Sequence, residues 1–497
     1  MRDTVVNRIR MSLPNRGIAW LVCCIVLGAA LLPACNQDGS FDYSGAVANS
    51  VTYTEHVAPI LFANCVECHR PGEVAPFSLL TYEDARMRGP LMVYMTGEGL
   101  MPPWKAGPSD YTFKNERHIT SEQIATLARW VELGMPEGDS LLLPPLPTFT
   151  DGWQLGLPDL ITTMPEPFTV PAGGPDVYRN FVLPLGLNED VWVRAVDFRP
   201  SARSVVHHSL FFLDNTGTAR EQDGQDGLPG YSGGMGVGFS GFFGRGRATR
   251  GSNAPTDTGI EQSRRAGGLG GWAIGSRAQE LPDGLAYLVP KGADLILSTH
   301  FRPSGEPVPE ASSIGLYFAD APPEQDFTYI QLPPLFGVFE GIDIPAGESD
   351  YAVMDTFVLP VDAKAFTVGA HAHYLGKEIK LTATLPEGES KTLLWIQDWD
   401  FAWQEKYHYV DYVSLPAGTQ LEVYFSYDNS TGNLQNPSSP PIRVTWGEES
   451  TDEMASVTLQ VVAANPDDLP RLEQEYRAHV RGAFASAGGL RWLLQRR

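Results

Sequence analysis

From about Phe149 onward the chain breaks into short runs of β-branched and aromatic residues, each stopped after a few positions by Gly, Pro, Asn or Asp. Val191-Trp192-Val193-Arg194-Ala195-Val196, Val205 to Phe212 and Leu295 to Phe301 set the type. Leu381-Thr382-Ala383-Thr384-Leu385 and Leu421-Glu422-Val423-Tyr424-Phe425 repeat it further on. Runs of this length are strands rather than helices, and the breakers between them supply the turns of antiparallel sheets. With 50 Gly and 40 Pro in 497 residues long helices should be few, and 43% apolar against 19% charged residues describes a folded chain. The texture predicts two successive β-sandwich blocks, over 148–312 and 313–464.

Ahead of them the pattern is helical. Val57, Ile60 and Leu61 recur at helical spacing. Ile124, Leu127, Ala128, Val131 and Leu133 do so again, between Thr120 or Ser121 as a cap and Gly134 as a stop. Leu141 to Pro147 is a Pro-rich linker that closes this part, which spans 51–147. Asn215 to Gly275 is Gly-rich with little periodicity and predicts a mobile loop or lid. The end, 465–497, reads as a helical, basic tail.

The start carries Arg2, Arg8, Arg10 and Arg16, an apolar run from Ile18 to Leu32, and then Leu32-Pro33-Ala34-Cys35. It looks like a bacterial lipoprotein signal over 1–35, which implies cleavage before Cys35, lipid on its thiol and a tether over 36–50. An uncleaved N-terminal anchor is the alternative. Both place the body outside the cytoplasm, lipid-anchored or membrane-anchored at the cell envelope. A formal net charge of -23 argues against nucleic acid as a partner.

Of five cysteines, Cys23 and Cys24 lie in the export segment and Cys35 is the lipid site, leaving Cys65 and Cys68. Cys65-Val66-Glu67-Cys68-His69 sets two thiols where they can add to the vinyl groups of a haem, with the adjacent imidazole as iron ligand. A zinc site would need two more soft ligands, which the cysteine count denies. Gly99-Leu100-Met101-Pro102-Pro103-Trp104 offers Met101 as the distal ligand on a loop that cannot be helical, with Met92, Met95 and His118 as competitors. The segment Tyr53 to Trp104 resembles cytochrome c domains with such a loop. It implies a small all-α domain holding one covalent haem c.

Five of the remaining nine histidines fall in three settings: Val205-Val206-His207-His208-Ser209-Leu210, Leu297-Ser298-Thr299-His300-Phe301 and Gly369-Ala370-His371-Ala372-His373-Tyr374. On a strand His371 and His373 project from one face and can clasp one metal ion. Adjacent His207 and His208 point to opposite faces unless the backbone bulges there. His300 alone reads as a core histidine.

Order and context change this. V-V-H-H-S-L-F-F (Val205 to Phe212), G-W-A-I-G (Gly271 to Gly275), L-P-D-G-L-A-Y-L-V-P-K-G (Leu281 to Gly292) and L-I-L-S-T-H-F (Leu295 to Phe301) resemble the copper type II monooxygenases. So do A-H-A-H-Y-L-G-K (Ala370 to Lys377), W-D-F-A-W-Q-E (Trp399 to Glu405) and S-T-D-E-M (Ser450 to Met454). The likeness is to the peptidylglycine α-hydroxylating and dopamine β-type enzymes and covers roughly Tyr178 to Val462. It implies two jelly-roll-like β-sandwich domains and two copper ions. His207, His208 and His300 would hold the electron-transferring ion, and His371, His373 and Met454 the one where oxygen and substrate meet. A soft thioether suits Cu(I).

The chain departs from the family in two ways. Its β blocks hold no cysteine, and Ser456 and Thr458 stand where the amidating enzymes use Asn and Tyr for the substrate carboxylate. Peptide amidation is therefore not expected. The expectation is a monooxygenase hydroxylating a C–H bond of a small organic substrate with dioxygen. Its electrons would come through the fused haem from a periplasmic redox protein or small reductant. The rival expectation is a non-catalytic electron-transfer or copper-binding lipoprotein.

Overall fold

The computed structural model describes residues 50–71, 73, 75–149, 152–232, 268–274, 276–447 and 449–487. Cys35, the export signal, nearly all of the tether, the centre of the Gly-rich stretch and the last ten residues lie outside the described residues. Among the described residues no helix is long and apolar enough to cross a membrane.

The short alternating runs do form strands, all paired antiparallel in six sheets. Val177–Pro184, Asp294–Phe301, Val206–Asp214 and Gly270–Ala273 stand side by side, with Tyr231–Ser232 at the edge. A second sheet orders Leu160–Thr163, Ser313–Phe318, Val191–Arg199 and Tyr287–Val289. Both sheets feed one apolar core around Phe181, Phe198, Leu295 and Phe301. The strand Ser313–Phe318 therefore belongs with the earlier block, one strand past the expected boundary.

Further along, Thr328–Leu332, Ser456–Ala463, Ala363–His371 and Lys406–Leu415 make one sheet, and Tyr351–Val358, Gln420–Tyr427, Gly376–Thr384 and Ser390–Ile396 another. Their shared core holds Leu381, Val423, Phe425 and Val461. The helix Leu469–Ser486 closes over it with Leu472 fully buried, and the Tyr476 hydroxyl donates to the Gln331 carbonyl at 2.9 Å.

The expected architecture, a small all-α cytochrome c domain followed by two jelly-roll-like sandwiches, is corrected here. Among the described residues strand outweighs helix, 33% to 18%, and there is no all-α cytochrome domain. The local helix signals were sound. Tyr82–Gly97 opens on a reciprocal Thr81–Asp84 capping box and Ser121–Glu132 on a Thr120–Gln123 one, and Gly134 follows with φ +82°.

What fails is their independence. Between the two helices the chain leaves and lies along the β part. Gly107 N donates to Trp395 O (2.6 Å) and Lys114 N to His408 O (2.7 Å), and the Thr112 carbonyl accepts from Val410 N (3.0 Å). Ala106 pairs with Ile396 and Phe113 with Tyr409, and both side chains are buried in the β core. The described residues accordingly form one unit.

Candidate metal centre

In the five-stranded sheet His208 and His300 are cross-strand partners, and the register shifts between Val206 and His208. That irregularity turns His207 to the same side as its neighbour. The Nδ1 atom of His207 is 3.0 Å from that of His208 and 3.1 Å from that of His300. Ligand atoms of all three, each buried, lie within 4.8 Å of one another. His300 Nε2 sits 2.8 Å from an Asp176 carboxylate oxygen, which also accepts from Ser450 Oγ at 3.1 Å. Nε2 of His300 therefore carries the proton and Nδ1 keeps its lone pair. Tyr178 stacks on the His300 ring at 4.3 Å and 15°.

The second set sits where the strand Ala363–His371 ends. His371 is its last residue and His373 lies in the connection beyond, so strand alternation does not hold the pair. Hydrogen bonds do. Gln404 Nε2 donates to Phe401 O (2.9 Å), which turns Gln404 Oε1 toward His371 Nδ1 at 2.6 Å. His373 Nδ1 donates to the Asp452 carbonyl at 3.1 Å. Each ring thus carries its proton on Nδ1 and leaves the Nε2 lone pair unprotonated. The rings are perpendicular with centroids 5.1 Å apart.

Met454 is nearly buried and shares its anchorage with His373. The fully buried Glu453 carboxylate accepts from the backbone N–H groups of His373 (2.9 Å), Leu375 (2.6 Å) and Met454 (3.2 Å). Burial pushes its pKa up to about 8 against these donors. The Tyr427 hydroxyl fixes the Met454 carbonyl at 2.8 Å.

Burial drives all five imidazoles below their ordinary range, His371 to about 4, so all are neutral at physiological pH, as metal ligands must be. Nε2 of His207 and of His371 are buried and meet no hydrogen-bond partner. In three of the five rings, His300, His371 and His373, the far N–H is held by a carboxylate, an amide and a carbonyl, which is the pattern of metal ligation. Imidazole suits copper, and Met454 adds a thioether whose backbone N–H shares the Glu453 carboxylate with that of His373. The residues fit the ion. Phe401 lies between the sets, its ring centroid 4.9 Å from His207 and 5.5 Å from His373.

Cys65 and Cys68 are free thiols on one turn ending the helix Ala58–Asn64. His69 Nδ1 donates to the Phe77 carbonyl at 3.1 Å, leaving its Nε2 lone pair for iron. This fits a covalent haem. Ion pairs tie the segment to the β part: Arg203 to Glu73 (2.6 Å), Arg277 to Glu67, and Arg117 to Glu405. Two of these pairs hold the Cys65–His69 segment itself, through Glu67 and Glu73, and the third holds Arg117 further along the chain. Met101 is half-buried, with its N–H on the Met95 carbonyl (3.0 Å), while Met92 is buried and His118 pairs with Glu116 at 3.2 Å.

The sequence reading missed Asp176, Phe401, Gln404 and Glu453. Three of them lie within or beside quoted segments, yet nothing local marks a lone Phe, Gln or Glu as holding a histidine.

No family model matches the chain, and no curated protein does. Among solved structures it is similar to the VP2 subviral particle of infectious bursal disease virus (9% identity, 63% of this chain and 74% of that one, TM-score 0.17). It is also similar to a Paenibacillus xanthan lyase (10%, 64% and 28%, TM-score 0.15). A mutant of Bacillus subtilis oxalate decarboxylase is a third (8%, 69% and 87%, TM-score 0.14). Likenesses this slight carry no argument about function.

Proposed function

We propose that this protein is a copper-dependent monooxygenase of the type II class, inserting one atom of dioxygen into a C–H bond of a small organic substrate. The observation that carries the reading is the pair of neutral, buried imidazole sets on either side of Phe401: one converges on Nδ1, the other leaves Nε2 open. Copper held there would supply the one-electron changes by which a substrate C–H bond, dioxygen, two electrons and two protons give a hydroxylated product and water.

The protein's own part is to hold ligands. Asp176, Gln404 and the Asp452 carbonyl fix three ring orientations, and Glu453 ties the His373 and Met454 backbones together. Cys65 and Cys68 would hold a haem c with His69 and Met101 as ligands, which would supply electrons one at a time, and the three ion pairs tie the segment to the β part. Export and lipidation at Cys35 place the protein on the cell envelope, where a periplasmic redox protein or small reductant feeds the haem.

The test is substrate-dependent oxygen uptake by the copper-loaded, pre-reduced protein across a panel of small organic compounds, with hydroxylated product identified. Uptake that falls to the buffer rate in His371→Ala supports the reading. Uptake unchanged in that variant, or never coupled to a hydroxylated product, defeats it.

A further inference from the structure

A cavity of about 210 Å³ opens between the sheet that carries His208 and the one that carries His371, and both imidazoles line it. Most of its wall is carbon, with Leu210, Trp272 and Phe336 prominent. Lys406 is its one ammonium group among the described residues. It starts the strand Lys406–Leu415 directly opposite Gly369, and a Cβ at position 369 would lie 3.3 Å from Lys406 Cγ. The lysine stem therefore rests on a bare stretch of backbone. Its Nζ reaches under Gly270, where an added Cβ would stand 3.3 Å from Nζ and 3.9 Å from the Tyr287 hydroxyl.

Its side chain is more than a third exposed, and it lines the cavity. No carboxylate among the described residues pairs with it, since neighbouring Glu405 turns to Arg117. With no carboxylate paired to it, a bound anion would complete its charge-assisted hydrogen bonding. Burial lowers its pKa to about 8, which leaves it mainly protonated at neutral pH.

We infer that Lys406 anchors a carboxylate of the substrate, and that the cavity takes a small aryl or alkyl monocarboxylate with its carbon body toward His371. Size agrees, because a dry cavity of roughly 150 Å³ already holds benzene. Ser456 and Thr458 line the same cavity and offer hydroxyls. A single cation in a carbon wall suits a monoanion rather than a phosphate, which calls for several donors. This deepens the oxygenase reading by naming a substrate class, but the binding itself requires no metal.

The experiment titrates full-length, copper-free protein with phenylacetate and with its uncharged twin phenylacetamide, by calorimetry and by Trp272-sensitive fluorescence. Phenylacetate should bind about tenfold or more tighter than the amide. Lys406→Gln and Lys406→Met should erase the preference, and Lys406→Arg should keep it. Equal binding of the two probes by the wild-type protein, no phenylacetate binding, or a preference surviving in Lys406→Gln overturns the inference. Copper uptake by the same protein is measured separately, so an anchor without copper, or copper without an anchor, tells which reading has failed.

Discussion

At the residue scale the site depends on groups that would never touch a metal or substrate. Asp176 orients His300 and is itself held below the usual carboxylate range, where hydrogen bonds from His300 and Ser450 outweigh burial. Asp176→Asn should weaken copper binding at the His207, His208 and His300 set by about 10- to 100-fold and spare the second set, as measured by chelator competition. Equal weakening of both sets would contradict this assignment. The neutral histidines also set a pH dependence. Burial holds His371 near 4 and His408 near 3, whereas the unfolded chain titrates near 6.5. Between 6.5 and about 4 the unfolded state binds more protons, so stability rises with pH and is lost on acidification, by about 1.4 kcal/mol per pH unit for each such group. The urea midpoint of metal-free protein should fall steeply from pH 6.5 to 4.5; a flat profile would contradict the burial of these rings. His207, His208, His300, His371 and His373 were legible as a set because their order matched a pattern. Asp176, Gln404 and Glu453 were not, since each gains its role from a partner 30 to 125 residues away in the chain or from burial alone.

At the scale of elements, periodicity and capping located the helices Ala58–Asn64, Ser121–Glu132 and Leu469–Ser486 and the strands Val191–Arg199, Val206–Asp214, Asp294–Phe301, Gly376–Thr384 and Gln420–Tyr427, while the helix Tyr82–Gly97 went unread. The bulge at His207 could be named as a requirement but not observed, because register belongs to the pair of strands and not to either alone. The segment from Trp104 to His118 was misjudged more fully. It fell inside the expected all-α domain of 51–147, whereas Phe113 stacks on Tyr409 at 5.1 Å and Trp104 meets Tyr407 edge-on at 5.1 Å. That segment joins the haem motif to the strand Lys406–Leu415, and its cost can be measured. Phe113→Ala should destabilise the whole protein by about 3–5 kcal/mol in a single unfolding transition. Loss of a separate, early transition with the β part unaffected would restore an independent helical domain.

At the scale of the whole molecule, the described helical segment and sheets form one unit. A fragment of residues 51–147 made alone should not give a cooperative unfolding transition, because Ala106 and Phe113 are buried only against the β core. A sharply folded fragment would show that the contact is dispensable. The central claim, two copper sites beside one haem, is tested most directly by counting metals per chain in purified, copper-loaded protein. Two copper and one iron are expected in the wild type, and one copper and one iron in both His300→Ala and His371→Ala. No bound copper in the wild type, or two retained in both variants, would contradict it.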